Sequence, residues 1–329
     1  NILITVLSAK LVIDGQITLG MMLAISYITG QLNAPILQLV GFMQSAQNAK
    51  LSLERLSEIH SKENEEPAGR EFLKDVPVNE DIRINNLSFR YTGSQDFVLS
   101  DINITIPANR KTAIVGASGS GKTTLMKLLL KFYEPNSGEI KLNAVNLSSI
   151  SPSAWRKCCG VVMQEGYIFN DTIAGNIVIG VETVDKIRLK NAASMACIKD
   201  FIEGLALQYN TKIGMEGLGI SSGQKQRILI ARAIYKNPHF LFFDEATSAL
   251  DATNETNIMQ NLDEFLYGKT AVIIAHRLST VKNADQIIVL DKGKIVETGN
   301  HRSLVEKQGI YFNLVKNQLD LEKLEEIMA

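Results

Sequence analysis

The sequence is short of cysteine, of net charge and, over one long stretch, of any charge at all. Only three cysteines occur, Cys158, Cys159 and Cys197, odd in number and without metal-ligand spacing. Neither a disulfide framework nor a zinc site is implied, and buried reduced thiols are expected. The 34 basic and 35 acidic residues nearly cancel, to a net charge of −1. No nucleic-acid partner is expected, because its phosphates would call for a basic surface. Internal repeats and low-complexity tracts are missing as well. What is there is length and ordinary globular composition, with 45% hydrophobic and 21% charged residues. The 329 residues suggest about two structural units at roughly 150 residues each. The chain opens on Asn1, with no basic segment and no small-residue cleavage site near it. That is not a signal peptide, and the expectation is the tail of something longer.

From Gly15 to Ala49 there is no charged residue, and Ile17 to Phe42 is dominated by Ile, Leu, Met, Val and Ala. About 20 apolar residues cross a bilayer as a helix, so a membrane helix is expected here. Ser26, Thr29, Gln31, Asn33, Gln38, Gln44 and Gln47 interrupt the run, and Pro35 lies inside it. The competing reading is a buried helix of a soluble protein, although such a helix normally shows a charged face. Asn1 to Ile13 reads as the end of an earlier membrane helix. Gln31, Gln38 and Ser45 are seven apart and share one face. That face suits either hydrogen bonds across a helix interface or the lining of a substrate path. Charge returns at Lys50, Glu54, Arg55 and Glu58, and Ser61 to Glu80 reads as a linker. The expected division is a membrane fragment over 1–60, a linker over 61–80, a soluble domain over 81–320 and a helix end over 321–329. The last is the end of a charged amphipathic helix, Leu314 to Met328.

Beyond the linker the fold class is α/β. Apolar strands are expected over Thr112–Val115, Gly160–Met163, Phe240–Phe243, Ala271–Ile274 and Ile287–Leu290, with helical segments between them. That alternation argues for a mainly parallel sheet covered by helices. Ile82–Tyr91 and Leu99–Ile106 read as strands of an antiparallel subsheet.

Gly116-Ala117-Ser118-Gly119-Ser120-Gly121-Lys122-Thr123 fits G-x-x-x-x-G-K-[ST], between a strand and the helical run Thr123–Lys131. Glycines let backbone N–H groups close around phosphate oxygens, and the helix adds the positive end of its dipole. Lys122 places a charge between the β- and γ-phosphates, and Thr123 offers a hydroxyl to Mg²⁺. Thr124 follows in the same turn and joins the nucleotide-binding set. The run Phe240-Leu241-Phe242-Phe243 ends in Asp244-Glu245 at the edge where such sheets bind ligands. Asp244 would hold Mg²⁺, and Glu245 would polarise the water that attacks the γ-phosphate. An Asp-Glu pair alone is a common solvated turn; beside the phosphate loop it gains weight.

Ile220-Ser221-Ser222-Gly223-Gln224 resembles the LSGGQ signature of ATP-binding cassette (ABC) proteins, and the resemblance runs from Arg83 onward. It implies a nucleotide-binding domain with a mainly parallel sheet, an antiparallel subdomain and a helical subdomain, here preceded by a partial all-α transmembrane region. It also implies roles for single residues. Tyr91 would stack on adenine. Gln164 would be the Q-loop glutamine, sensing the γ-phosphate and contacting the metal with Thr123 and Asp244. Ser248-Ala249-Leu250-Asp251 would be the D-loop, and His276 the switch histidine that positions the attacking water. Taken singly, each residue has a plainer reading as a packed aromatic, surface amide, helix cap or core histidine; their shared order carries the resemblance. The implied cofactors are ATP and Mg²⁺. The implied partner is a second copy or a paralogous half-transporter, packed head to tail. Ser221 and Gly223 of one chain would then donate to the γ-phosphate held by the other.

Two departures stand out. Ser222 replaces the usual Gly, and if that position needs a positive φ, serine costs on the order of 1 kcal/mol and weakens the site. Thr211-Lys212-Ile213-Gly214-Met215 also lacks the exporters' glutamate in place, with Glu216 one position late. A membrane helix ahead of the ATPase on one chain resembles an exporter half-transporter of a bacterial inner membrane, multi-pass, with its ATPase in the cytoplasm. Val162-Met163-Gln164-Glu165-Gly166-Tyr167-Ile168-Phe169 and Tyr209-Asn210-Thr211-Lys212-Ile213-Gly214 are similar to peptide and bacteriocin exporters, many of which carry a cysteine peptidase. The expected partners therefore include a lipid bilayer and an exported peptide. The rivals are an exporter of lipids or drugs and a soluble ABC ATPase without a transport role.

Overall fold

The structure, a computed structural model, describes residues 2–62, 64–67, 69–181, 183–215, 217–244, 252–275 and 278–317. It divides into two units, Asn1–Ala68 and Gly69–Ala329.

The first unit is two helices, α1 (Ile2–Ile13) and α2 (Leu19–His60). Among the described residues no helix is long and apolar enough to cross a membrane, where the sequence reading expects a span over Ile17–Phe42. The reason is divided between the two helices. α1 is apolar but has 12 residues. α2 has 42 residues, but Ser26, Thr29, Gln31, Asn33 and Gln38 dilute its apolar side chains. Two of these polar groups are satisfied inside the helix: Thr29 Oγ1 donates to Ile25 O at 2.7 Å and Gln31 Nε2 to Tyr27 Oη at 2.6 Å. Large apolar residues of α2, among them Leu23, Ile28, Leu37 and Phe42, are exposed in the isolated chain.

The second unit begins with β1 (Ile82–Phe89), β2 (Leu99–Ile106) and β3 (Lys111–Val115), then α3 (Lys122–Leu129). Next come β4 (Ser137–Leu142), β5 (Val145–Asn146), α4 (Pro152–Cys158), β6 (Cys159–Val162), β7 (Asp171–Thr172), α5 (Ile173–Ile177), α6 (Lys186–Met195) and α7 (Lys199–Glu203). The remainder is β8 (Lys212–Ile213), α8 (Ser222–Lys236), β9 (Phe240–Asp244), α9 (Ala252–Leu266), β10 (Thr270–Ile274), α10 (Leu278–Lys282), β11 (Gln286–Asp291), β12 (Lys294–Gly299) and α11 (His301–Lys307). Residues 310–317 are again helical.

The main sheet has the order β12-β11-β3-β10-β9-β6, and β2-β1-β4-β5 form an antiparallel sheet. β11, β3, β10, β9 and β6 are parallel, whereas β12 runs antiparallel on β11. The five expected parallel strands are all present within a residue or two of their expected ends. β4 and β12 were not expected; their alternating, charge-bearing sequences carry too few apolar residues to read as strands.

Strand alternation builds two cores. Ala113, Val115, Leu241, Phe243, Ala271, Ile273 and Val289 face a core shared with the apolar sides of α5, α6 and α8. Ile114, Phe240, Phe242, Val272, Ile274 and Leu290 face the other, closed by β1, β2, β4 and the buried side of α3. All five residues of β9 are buried, as a central parallel strand requires. Trp155 on α4 packs in the second core against Phe240, ring centroids 4.8 Å apart, and its Nε1–H donates to Leu129 O at 2.9 Å.

Part of the expected linker is docked on this unit. Leu73 N–H donates to Ser149 O at 2.9 Å, and Ser151 N–H donates to Leu73 O at 2.8 Å. Phe72 beside it lies under the Arg70 guanidinium, 4.9 Å from the ring centroid, and 5.9 Å from Lys131 Nζ just past α3.

Candidate nucleotide site

Parallel register brings the strand ends of the sequence motifs to one edge of the sheet. Val162 pairs with Phe243, Asp244 with Ile274, Ile274 with Ile114, and Val115 with Val289. The phosphate loop after β3, Asp244 at the end of β9 and the turn carrying Gln164 after β6 therefore share that edge. Glu245, Asp251 and His276 lie outside the described residues.

The loop's glycines are needed for two different reasons. A Cβ on Gly116 would collide with the carbonyl oxygen of Leu290 on β11. Gly121 is the residue before α3 and is left-handed, with φ 104°, a conformation that favours glycine. Ala117, Ser118 and Gly119 form the exposed tip, and Ser120 turns back inside. Ser120 Oγ is buried and has no hydrogen-bond partner, a costly state for a hydroxyl and one that a ligand oxygen would relieve. Lys122 is 6% exposed, and its Nζ donates to Gly116 O and Ala117 O, both at 2.9 Å. Its ammonium is thereby held over the loop. Thr123 Oγ1 donates to Asp244 Oδ2 at 3.0 Å.

Those two oxygens are hard donors of the kind Mg²⁺ takes. Among the described residues no group of three or more His, Cys, Asp or Glu could hold a metal by itself. A Mg²⁺ ion here would draw its other ligands from substrate and water, the usual habit of that ion. The donor set fits it on those terms.

Gln164 is exposed in the turn beyond β6. The segment after it is anchored from below. Arg232 Nε donates to Asn176 O at 2.8 Å, and its terminal nitrogens donate to Tyr167 O at 3.1 Å. Burial pushes this guanidinium down to about 10.

The signature residues open α8. Ser221 Oγ accepts from Gln224 N–H at 3.2 Å, and Gln224 Oε1 accepts from Ser221 N–H at 2.8 Å, a reciprocal capping box. The first-turn N–H groups of Ser222 and Gly223 have no intrahelical acceptor by position, and the Ser221 hydroxyl keeps its proton for an outside acceptor. Ser222 is the first residue of α8 and is not among the positive-φ residues. The strain expected of serine there is corrected: a right-handed helical position accommodates serine without a steric cost. Ser222→Gly should accordingly leave ATP turnover within twofold of the parent and lower stability by no more than about 1 kcal/mol, from glycine's backbone entropy. A several-fold rise in turnover would show that the serine does impair the site. Met215, before the signature, is 96% exposed, and Glu216 lies outside the described residues.

Tyr91, just past β1, is half-buried, and its hydroxyl lies 3.0 Å from Thr124 Oγ1. Its ring meets those of Phe89 and Tyr133 edge to face, with centroids 5.0 and 5.3 Å apart. Neither neighbour is singled out by the sequence motifs. Phe89 shares the strand-face alternation of Tyr91, so spacing could have found it; Tyr133 carries no such signal. The three cysteines are free, Cys159 buried and the other two half-buried, and burial raises each thiol.

Together the fold, the phosphate loop and the capped signature helix define an ABC-type nucleotide-binding domain. The profile of the ABC transporter family matches residues 99–248, and the second unit has the fold of that family's ATP-binding domain. The chain is 42% identical over 314 residues to the exotoxin translocation ATP-binding protein PaxB of Pasteurella aerogenes, matching 95% of this chain and 44% of that protein. It is 42% identical over 302 residues to the alpha-hemolysin translocation ATP-binding protein HlyB of Escherichia coli O157:H7, covering 92% and 42%. Among solved structures it resembles a bacterial Atm1-family ABC exporter with ATP bound, with a TM-score of 0.76, 32% identity and coverage of 92% of this chain and 53% of that one. The chain thus spans less than half the length of the two curated relatives.

Proposed function

We propose that this chain is the ATP-hydrolysing portion of a membrane exporter that moves a polypeptide. The observation that carries the reading is the Thr123–Asp244 oxygen pair, 3.0 Å apart, beside a buried lysine and an unpartnered buried serine hydroxyl. In this reading Gly116, Ser118, Gly119, Ser120, Gly121, Lys122, Thr123 and Thr124 hold the phosphates and Tyr91 takes the adenine. Thr123, Asp244 and Gln164 would hold Mg²⁺, which would neutralise phosphate charge. Lys122 stabilises the charge that develops on the transferred phosphoryl group. Glu245 orients and deprotonates water, His276 positions it, and Gln164 reports the γ-phosphate to the membrane part.

The completing surface is a second copy or a paralogous half-transporter. Ser221, Ser222, Gly223 and Gln224 of one chain would close over the nucleotide of the other, with Asp251 at the same interface. ATP then favours the closed pair because only that state contacts it from both sides. Glu245→Gln chain held with Mg-ATP should elute as a dimer on size exclusion and return to monomer when EDTA is added. Elution as monomer under both conditions would defeat the shared-site reading.

The relatives named for exotoxin and hemolysin translocation support a polypeptide cargo. The bacteriocin and peptidase reading rests on wording around Gln164 and Tyr209 alone. We place the helices of the first unit in the membrane part of a multi-pass protein, in a bilayer such as the bacterial inner membrane, with the ATPase on the cytoplasmic side. The exposed apolar residues of α2 support this, and its polar residues would then face neighbouring helices.

A further inference from the structure

We propose that Thr124 and Tyr133 are positioning residues that fix the ring of Tyr91, tying the base end of the nucleotide site to the phosphate end through one hydroxyl–hydroxyl contact. The inference rests on the nucleotide reading above.

Adjacent residues of a helix point about 100° apart. Thr123 and Thr124 open α3 side by side, and their hydroxyls serve different ends of the site. Thr123 Oγ1 meets Asp244 at 3.0 Å. Thr124 Oγ1 meets the phenol of Tyr91, also at 3.0 Å, from a side chain that is buried. The Thr124 hydroxyl is therefore engaged with Tyr91, and beside its contact with the phosphates it places that ring.

Tyr91 needs such placement. It lies beyond the last residue of β1, where ladder hydrogen bonds no longer hold the backbone. Its ring is fixed instead by three contacts: Phe89 at 5.0 Å and 82°, Tyr133 at 5.3 Å and 89°, and the Thr124 hydroxyl. Phe89 and Tyr133 also touch each other, at 5.5 Å, so the three rings form a closed cluster. Phe89 comes from β1, while Tyr133 comes from the segment just after α3. The loop's helix thus grips Tyr91 at both of its ends, through Thr124 in its first turn and Tyr133 beyond its last. A shift of α3 moves the base platform with the phosphate loop, which keeps their spacing matched to one nucleotide.

The test is titration of the full chain with ATP and, separately, with tripolyphosphate, which has no base. Tyr91→Phe and Thr124→Val should each raise the Kd for ATP about three- to tenfold. The double variant should lose no more than either single one, because both remove the same contact. Thr124→Ser, which keeps the hydroxyl, should restore ATP affinity. Tyr133→Ala should weaken ATP binding and Tyr133→Phe should not. Tripolyphosphate affinity should stay within twofold in Tyr91→Phe and in both Tyr133 variants. Additive losses for Tyr91→Phe and Thr124→Val overturn the proposal, as does a loss of tripolyphosphate affinity in Tyr91→Phe equal to its loss of ATP affinity. The nucleotide reading itself fails differently, with a parent chain that binds neither ligand.

Discussion

Lys122→Ala should lower ATP turnover about 10²- to 10³-fold, the usual loss when one preorganised donor to developing negative charge is removed. The structure shows how its charge is held. Lys122 is buried on the first residue of α3, and its ammonium is held at 2.9 Å by the carbonyls of Gly116 and Ala117. The positive charge thus lies over the loop before any phosphate arrives, and little reorganisation is left for the reacting state. Lys122→Arg is not a conservative change here, because a planar five-donor fork cannot occupy a site shaped for a compact ammonium. A coupled-enzyme ATPase assay with saturating Mg-ATP measures the effect. A loss below fivefold would remove Lys122 from the catalytic set. Because two loop carbonyls also lose their donor, a thermal melt run in parallel should show a smaller decrease in stability, about 1–3 kcal/mol.

The second large effect concerns folding. Trp155→Ala should destabilise the second unit by about 3–5 kcal/mol, the range for removing a buried large aromatic residue. Trp155 is 1% exposed, packs on Phe240 of the strand that ends in Asp244, and donates to Leu129 O at the end of α3. One side chain therefore ties the phosphate-loop helix to the strand carrying the candidate metal ligand. Chemical denaturation followed by far-UV circular dichroism gives the number. Trp155→Phe should recover part of it, because a ring remains to fill the space while the N–H is lost. A midpoint for Trp155→Ala equal to that of the parent chain would mean that the core closes over the gap, and that the two elements are held together elsewhere.

Much of the site was legible because its chemistry is local in sequence. The phosphate loop could be read from eight consecutive residues, since the glycines at 116 and 121 are demanded by a neighbouring carbonyl and by a left-handed backbone. Asp244 could be read because a buried parallel strand is an uninterrupted apolar run. The capping box of Ser221 and Gln224 went unread in the sequence, and so did its consequence for Ser222: only the start of α8 shows that position to be right-handed. The Tyr91–Thr124 contact joins residues 33 apart and has no periodic or motif signal. β12 was missed because Lys294 to Gly299 alternates polar and apolar residues at a sheet edge, where only one face needs to be apolar. The missing charge of α2 is plain in the sequence, and so are the amides and hydroxyls that dilute its apolar side chains.

The docking of Leu73 onto the strand-like segment around Ile150 changes the arithmetic of the tether. From His60 to Ile82 at the start of β1 the chain takes 22 Cα–Cα steps, a reach of roughly 75 Å when fully extended. From His60 to Leu73 it takes 13, or roughly 45 Å. The volume that the free end of such a tether can sweep falls with the cube of its reach, by a factor of about five.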